Sequence, residues 1–569
     1  MSRYTLSARV KTNIARRHVA HQFLHFLQRM RQRKIISFGG PKEILADVQN
    51  IRRWGGLEAT IVSRAARQVP DRVALIDDDG QLTYKQLIDE AEKLARALHQ
   101  RGCHSGANVA VMALNGRGVI LPLIARQMAG FNIFLINGNS SAVQIEEYLD
   151  FHDIKAMIVD EEFLERMTDA ARQRTVLIAH LEDEPVETGD VDGRPYETMQ
   201  HAMDTADMSV DLPEKPARSH HVLMTSGTTG MPKAVIRRHL KSPQSSANIA
   251  AVVPFERNMR VLLSAVLFHA YGWAYLGMAL ITQSTIVTHR HFDATKVLDD
   301  FKEHDITLWV AAATRIRGVV AYMDDNNIDH YEGLKAITNS GSILLPIEIQ
   351  KTYEKFGPVL CSMYGSSETT AISTAGPHDL IRDPHLSGFI YPGCIVKIFD
   401  DNGNELPDGQ EGVVAISSYD LFAGYTDPAI EPRMIDGMYY MGDRGYKKGN
   451  RLYILGRDDD LVITQFAEKI YPVEIMDEVM RLDEIRDCFV HGVPDEHTGQ
   501  ALRAYVIAKD DIAPDTIREH VRAHLSDAHV PRDVVYVEDF KRGPTGKVLA
   551  RFLPEPDEHN QREEANAQR

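Results

Sequence analysis

Residues 222–233 read VLMTSGTTGMPK. The run opens on three apolar residues, Val222 to Met224, of the kind that fill a buried strand. It then passes at once into Thr225, Ser226, Gly227, Thr228, Thr229, Gly230, Met231, Pro232 and Lys233. Glycines let backbone N–H groups approach a ligand closely, hydroxyls donate to it or ligate a cation, and a lysine supplies positive charge. That combination fits phosphate oxygens better than it fits a plain surface turn. The Walker A spacing is absent, because Gly230 follows Gly227 by three residues, and Gly543 to Val548 does not supply it either. A triphosphate is therefore held in another way.

Outward from this loop, short apolar runs alternate with helical patterns. Val73 to Ile76 precedes a helix over Thr83 to Arg101, with Leu87, Ala91, Leu94, Ala95 and Leu98 on one face, and Val109 to Leu114 follows. Further strands are expected at Ala156 to Val159, Thr175 to Ile178, His221 to Met224, Leu308 to Ala311 and Ala336 to Asn339. Such alternation predicts an α/β protein built on largely parallel sheets. Between 388 and 456, Gly, Asp and Asn turns at short intervals separate β-type runs, and a β-rich subdomain is expected there. Arg457 to Asp460 is poor strand or core material and marks a boundary. Beyond it a helix at 472–482, strands near 488–493 and 501–508, a helix at 513–526 and a strand at 534–537 predict a compact α+β domain. The expected organisation is an arm at 1–41, a large domain at 42–456, a linker at 457–460, a small domain at 461–553 and a disordered tail at 554–569.

Composition excludes several classes. With 44% hydrophobic and 25% charged residues over 569 positions, the chain has the balance of a folded protein of more than one domain, not of a disordered or collagen-like one. Cys103, Cys361, Cys394 and Cys488 stand without CxxC spacing, which fits a reducing cytosol better than a zinc site or a secreted disulfide framework. Residues 1–41 hold nine Lys and Arg and no acid, so all 80 Asp and Glu fall on the rest of the chain. That acidic body argues against nucleic acid as a partner. In the arm, Val19, Phe23, Phe26, Leu27 and Met30 recur at helical spacing among Arg16, Arg17, Arg29, Arg31, Arg33 and Lys34. The pattern fits a helix lying peripherally on the anionic inner face of a membrane, and equally one that is solvated or packed against the body. Val261 to Val287 carries no Asp, Glu, Lys or Arg over 27 residues, but Ser264, His269, Gly272, Gly277 and Gln283 interrupt it. A buried helix followed by a buried strand is expected rather than a membrane span.

Five more motifs follow the phosphate loop in order. They are Leu267-Phe268-His269-Ala270-Tyr271-Gly272, Tyr364-Gly365-Ser366-Ser367-Glu368, Tyr440-Met441-Gly442-Asp443, Gly456-Arg457-Asp458-Asp459 and Pro544-Thr545-Gly546-Lys547. This ordered series, spread over most of residues 70–550, resembles the adenylate-forming enzymes, which include acyl-CoA synthetases, aryl-CoA ligases, peptide-synthetase adenylation domains and beetle luciferases. The chain departs from the family pattern at Ala234 after Pro-Lys, at Ser367 and at Met441, each a small change.

The resemblance implies ATP, Mg2+ and CoA as partners in the chemistry, and it implies a task for each motif. Glu368, with Thr225, would hold Mg2+, since a hard cation wants oxygen ligands. Asp443 would accept both ribose hydroxyls, and Arg457 would donate to the ribose or a phosphate. Residues 225–230, Lys233, Gly341, Ser342 and 364–367 would surround the nucleotide. Lys547 would serve the first step, where a carboxylate attacks the α-phosphorus and charge builds on phosphoryl oxygens. Asp459 would be the hinge about which the small domain turns, so that Lys547 leaves and a thiol enters.

For the acid, family members that bind amino acids place an aspartate after the phenylalanine of the second motif, and here that position is His269. An acid without an α-amino group is expected, with His269 catalytic or lining the pocket beside Phe268, Tyr271, Gly272, Trp273, Thr314 and Gly341; a core histidine is the competing reading. The basic arm favours a fatty acid. Relatives commonly carry a glycine in the loop that lines the thiol's tunnel, and Thr464 to Ala467 has none. CoA therefore stands beside a carrier-protein phosphopantetheine as acceptor, and a nucleotide- or acyl-binding protein without turnover is the third reading.

Overall fold

The computed structural model describes residues 40–556 except 139, 182–187, 192–193, 226–232, 238–243, 419, 464–467, 496–498 and 544–545. Almost all of the basic arm, the phosphate loop from Ser226 to Pro232, the loop 464–467 and the tail from 557 onward lie outside the described residues.

Continuous apolar runs form strands that are buried on both faces, as parallel sheets require. One sheet has a parallel core of Val73–Asp77, Thr285–Val287, Arg260–Leu263, Leu308–Val310, Ala336–Asn339 and Leu360–Ser366 in spatial order. The second runs His221–Thr225, Asn132–Leu135, Asn108–Met112, Ile154–Val159, Thr175–Ile178 and Arg194–Thr198, again in parallel. The β-rich stretch is not detached from these layers. Its strands Gly388–Ile390, Cys394–Phe399, Gly412–Ser418, Met438–Lys448 and Arg451–Arg457 extend the first sheet antiparallel from its edge.

Helices cover the sheets. Two of them, α1 (Pro41–Trp54) and α2 (Glu58–Gln68), carried no expectation from the sequence. Next, α3 (Tyr84–Gln100) starts at the capping box of Thr83 and Gln86 and buries the expected face. Helix α4 (Arg117–Ala129) is buried almost throughout, in keeping with its apolar sequence. The charge-free stretch forms the strand Arg260–Leu263, α5 (Ala270–Ile281) and the strand Thr285–Val287, so it contains one strand more than expected. Among the described residues no helix is long and apolar enough to cross a membrane. Two further helices, α6 (Ala313–Asp325) and α7 (Pro346–Phe356), face the smaller unit.

That unit holds α8 (Pro472–Val479), the antiparallel pair Ile485–Asp495 and Gly499–Ala508, α9 (Pro514–His524) and the strand Asp533–Tyr536, parallel to its neighbour. Ile475, Val490, Val506, Ile517 and Val521 form its core, and Leu345 and Ile347 from the large unit join them. The Ile347 N–H donates to the Asp477 carboxylate at 2.9 Å. Asp487 accepts from Arg317 of α6 on one side and from Arg542 on the other, while Arg317 also donates to Glu348 of α7. Four chain segments are thus tied through one largely buried set of charges. The two units enclose a cleft of about 2460 Å³, which continues between α2, α4, α5 and the second sheet.

Candidate active site

Strand pairing sets the first part of the site. Asp443 and Arg457 lie opposite one another on neighbouring antiparallel strands. The Arg457 guanidinium donates to Asp443 Oδ1 at 3.0 Å and to the Met441 carbonyl at 3.1 Å, and the Tyr364 hydroxyl donates to Asp443 Oδ2 at 2.6 Å. Gly442 between them has φ +77°, and a Cβ there would stand 2.6 Å from the Arg457 guanidinium, so a side chain would displace the arginine. Burial pushes the Asp443 carboxyl above its usual range, with Arg457 opposing that shift. Cross-strand placement therefore holds a carboxylate ready to accept at the wall of the cleft.

Lys547 comes from the smaller unit. Its hairpin is closed by bridging of Arg542 to Val548, by Gly543 N–H donating to the Lys547 carbonyl at 2.8 Å and by Arg542 donating to the Gly546 carbonyl at 2.8 Å. Gly546 has φ +83°, and a Cβ built on it would stand 2.2 Å from Thr314 Oγ1 of α6. Only glycine allows the hairpin to nest that closely. Lys547 is exposed within the open cleft. The surrounding walls partly desolvate it and Arg457 repels it, lowering its pKa, while Asp443 and Asp460 act in the opposite sense.

His269 stands at the N-terminus of α5 and reaches the same cleft. Its Nε2 has no hydrogen-bond partner among the described residues. Burial, with Lys547 beside it, lowers its pKa to about 4, so it is a neutral imidazole at pH 7. Tyr271 lines the cleft with its ring while its hydroxyl donates to the Thr338 carbonyl at 2.6 Å, which fixes α5 to the sheet. Trp273, Thr314, Gly341 and Ser342 also line the cleft. Two residues expected in the acyl pocket do not. Phe268 is buried in the core with its ring 4.5 Å from that of His269, and a Cβ on Gly272 would meet the Val266 carbonyl oxygen at 2.4 Å, so both support the wall from behind.

Glu368 sits on the tight turn after Gly365 and faces the cleft. The Tyr425 hydroxyl donates to its Oε1 at 3.1 Å, and Ser366 Oγ accepts from its N–H at 3.2 Å. Lys233 lies across the same tyrosine, with Nζ 5.5 Å from the ring centre. Thr225 ends the strand paired to Lys233, and Ser226, Gly227, Thr228, Thr229 and Gly230 fall outside the described residues. Asp459 is exposed just past the strand Arg451–Arg457. Tyr425, Arg317 and Asp487 had no local signal in the sequence, since each matters through a partner 57 to 170 residues away.

The profile of the AMP-binding enzyme family matches residues 62–426, and that of the AMP-binding enzyme C-terminal domain matches 474–547. The chain belongs to the adenylate-forming enzymes. This adenylate-forming enzyme falls in their acyl-CoA ligase branch, an AMP-forming acid–thiol ligase class. It is 25% identical over 499 residues to 2-succinylbenzoate–CoA ligase of Bacillus licheniformis, covering 86% of this chain and 98% of the relative. A medium/long-chain-fatty-acid–CoA/3-oxocholest-4-en-26-oate–CoA ligase of Mycobacterium tuberculosis is 26% identical over 554 residues, covering 90% and 97%. Among solved structures, o-succinylbenzoate CoA synthetase of Bacillus subtilis, in complex with its acyl-adenylate intermediate, superposes with TM-score 0.72 at 21% identity, covering 87% of this chain and 98% of that one. The adenylate-forming enzyme described here shares that fold, with Lys547 brought into the cleft between its two units.

Proposed function

We propose that this ligase activates a carboxylic acid with an apolar body, of fatty-acid type, and passes it to the thiol of CoA. A carboxylate oxygen attacks the α-phosphorus of ATP, the bond from that phosphorus to the α,β-bridging oxygen breaks, pyrophosphate leaves with the electron pair, and acyl-AMP forms. The CoA sulfur then attacks the acyl carbon, AMP departs with the electron pair, and a thioester remains. The observation that carries this reading is the convergence of Lys547 with Asp443, Arg457 and His269 on one cleft, from both units of the chain. Lys547 is placed to stabilise the charge that grows on the phosphoryl oxygens, and Asp443 to accept from the ribose hydroxyls. His269, neutral and without an opposing carboxylate, suits an uncharged chain beginning beside the reacting carboxylate. Ile61, Ile120, Leu123, Ile124 and Leu276 line the inner end of the cleft and suit an apolar chain.

The residues also fit a divalent cation. Glu368 presents a carboxylate that accepts from the Tyr425 phenol at the cleft wall, and a Mg2+ ion takes one such ligand together with phosphate oxygens. Bound there, the ion would offset phosphate charge; Glu368 is the described residue that would hold it.

Attachment to a membrane through residues 1–41 belongs to the same proposal. Its support is α1, which turns Glu43 and Asp47 inward to Arg67 and Arg64 of α2 and leaves Ile44 and Leu45 46% and 59% exposed. The test of the reaction is pyrophosphate release with a panel of straight-chain fatty acids, followed by addition of CoA or of an acyl carrier protein. Lys547→Ala is expected to lose nearly all acyl-AMP formation while still converting supplied acyl-AMP to thioester. Equal loss of both half-reactions would remove Lys547 from the first step, and no pyrophosphate with any acid would remove the ligase reading.

A further inference from the structure

We propose that His221 makes this ligase selective for acids that carry a second oxygen function, a ketone or a carboxylate, toward the end remote from the reacting carboxyl. The inference rests on the ligase reading above and names its substrate class more closely. His221 begins the strand His221–Thr225 and is 4% exposed, yet it lines the inner end of the cleft. Neither Nδ1 nor Nε2 has a hydrogen-bond partner among the described residues. Buried polar groups are nearly always paired, and leaving one unpaired costs about 1–3 kcal/mol. A core imidazole with no other task would have found a carbonyl or hydroxyl. An imidazole at the wall of the cleft with both nitrogens buried and unmatched needs only a small turn of its ring to meet a ligand atom.

The position relates His221 to the chemistry. Trp273 lies one turn of α5, about 5.4 Å along the axis, beyond His269, and its ring stands edge-on to that of His221 with centroids 5.0 Å apart. The tryptophan thus packs against the imidazole and restricts its plane. One turn further, Gly277 lines the cleft, and a Cβ built on it would meet nothing within 4 Å. A mid-helix glycine costs about 1 kcal/mol relative to alanine. Here it keeps open the space that a chain passing His221 would need. The lining around this segment mixes Ile120, Leu123, Ile124 and Leu276 with Arg126, Arg237 and Glu58, which are bonded to partners of their own, so a purely hydrocarbon chain would leave the imidazole unmatched.

The charges around His221 decide which polar group it takes. Burial lowers its pKa well below the usual histidine range, and Arg126 and Arg237 push in the same direction, so the ring is neutral with one N–H to donate. Arg126 is bonded to Ser219 and ion-paired with Glu58, and Arg237 donates to the Ser367 and Asp420 carbonyls beside the Asp420 and Glu368 carboxylates, so the charge of each is offset. The one N–H of the neutral ring favours an acceptor oxygen, neutral or anionic, over an ammonium group, which has no lone pair to offer.

The test uses the full chain with ATP and Mg2+ and three matched sets of acids: hexanoic, octanoic and decanoic; 5-oxohexanoic, 7-oxooctanoic and 9-oxodecanoic; hexanedioic, octanedioic and decanedioic. kcat/KM is read from pyrophosphate release. The expected result is a preference of about tenfold or more for an oxygenated acid over its plain partner at one or more lengths, worth one hydrogen bond of about 1.4 kcal/mol. In His221→Phe, which keeps the ring and loses both nitrogens, that ratio falls to near one through KM; His221→Gln, which keeps a donor, retains part of it. The oxo and dioic sets separate a neutral from an anionic oxygen. Equal kcat/KM within every matched pair for the native protein would overturn the inference, as would an unchanged ratio in His221→Phe. Activation of plain acids alone would leave the ligase reading standing and remove this one, whereas no pyrophosphate with any of the acids would remove both.

Discussion

Gly546→Ala tests how the smaller unit delivers Lys547. The native residue sits at φ +83°, where an L side chain costs about 1–2 kcal/mol, and the added Cβ would lie 2.2 Å from Thr314 Oγ1 and 2.8 Å from its Cγ2. Backbone strain alone corresponds to roughly a five- to thirtyfold loss. The clash adds more, because the hairpin must move outward by about 1 Å to recover a normal contact, and a misplacement of that size costs on the order of 100-fold in a positioned reaction. Acyl-AMP formation, followed as pyrophosphate release with decanoic acid, should therefore fall by about 500- to 3000-fold. Thioester formation from supplied decanoyl-AMP and CoA should change far less, since it does not need Lys547 nested on α6. Thr314→Ala combined with Gly546→Ala removes Oγ1 and Cγ2 and should recover the steric part, leaving about the loss due to strain alone. If the double variant is no faster than Gly546→Ala, the contact with Thr314 does not set the position of Lys547. Equal losses in both half-reactions would refute the assignment of this docked arrangement to the first step.

Other consequences follow from the same interface and site. Asp487→Asn strips the charge shared by Arg317 and Arg542, a loss of charged hydrogen bonds worth about 1.5–3 kcal/mol, and should slow acyl-AMP formation by roughly 10- to 100-fold while the thioester step is little affected; the two half-reactions measured separately check it. Lys547 must be protonated to stabilise phosphoryl charge, and its pKa is lowered by desolvation and by Arg457, so acyl-AMP formation should fail on the alkaline side below the usual lysine range. Arg457→Gln removes one lowering influence, so the alkaline limb should move to higher pH even as the overall rate drops, and a pH–rate profile of both proteins decides this. Removing residues 1–39 should reduce co-sedimentation with vesicles of anionic phospholipid while pyrophosphate release with soluble acids continues; unchanged sedimentation would end the membrane proposal.

The sequence disclosed most of what depends on short-range pattern. Parallel strands such as Ile154–Val159 and Ala336–Asn339 are continuous apolar runs because both faces are covered, and α3 announced itself through its cap and its buried stripe. Helix α1 did not, because it has no buried residue: its polar side pairs with α2 and its apolar side faces out, so its periodicity does not mark a core face. The β-rich stretch was legible as strands but not as an extension of the main sheet, since register between Gly388–Ile390 and its neighbours is decided by pairing, not by composition. In the site, Asp443, Arg457, Glu368 and Lys547 sit within local motifs. His221 and Asp487 do not: one is defined by a missing partner in a cavity, the other by two arginines drawn from distant segments.

The chemistry of the contact between the units bears on the turning motion expected at Asp459. In the proposed reaction, Lys547 would fill space beside the reacting carbon once acyl-AMP has formed, where a thiol must enter. An interface that is to open repeatedly cannot be sealed by a large apolar surface, because its separation would expose that surface to water at about 25 cal/mol per Å². Among the described residues the ties include the Arg317–Asp487 pair, braced by Arg542 from within the small unit, the Arg486–Asp325 and Lys469–Asp401 pairs, the Tyr471 hydroxyl given to Glu411 and a backbone N–H given to Asp477, with Leu345 and Ile347 as the apolar part that joins the small unit's core. Water can solvate each of those charged groups after separation, so the docked and undocked states differ by little. The same groups re-form in one geometry only, since Asp487 must meet two guanidinium groups while Gly546 clears Thr314. A polar, well-registered contact of this kind supports an arrangement that is specific when closed and inexpensive to leave, which is what a lysine needed for only one of two consecutive steps requires.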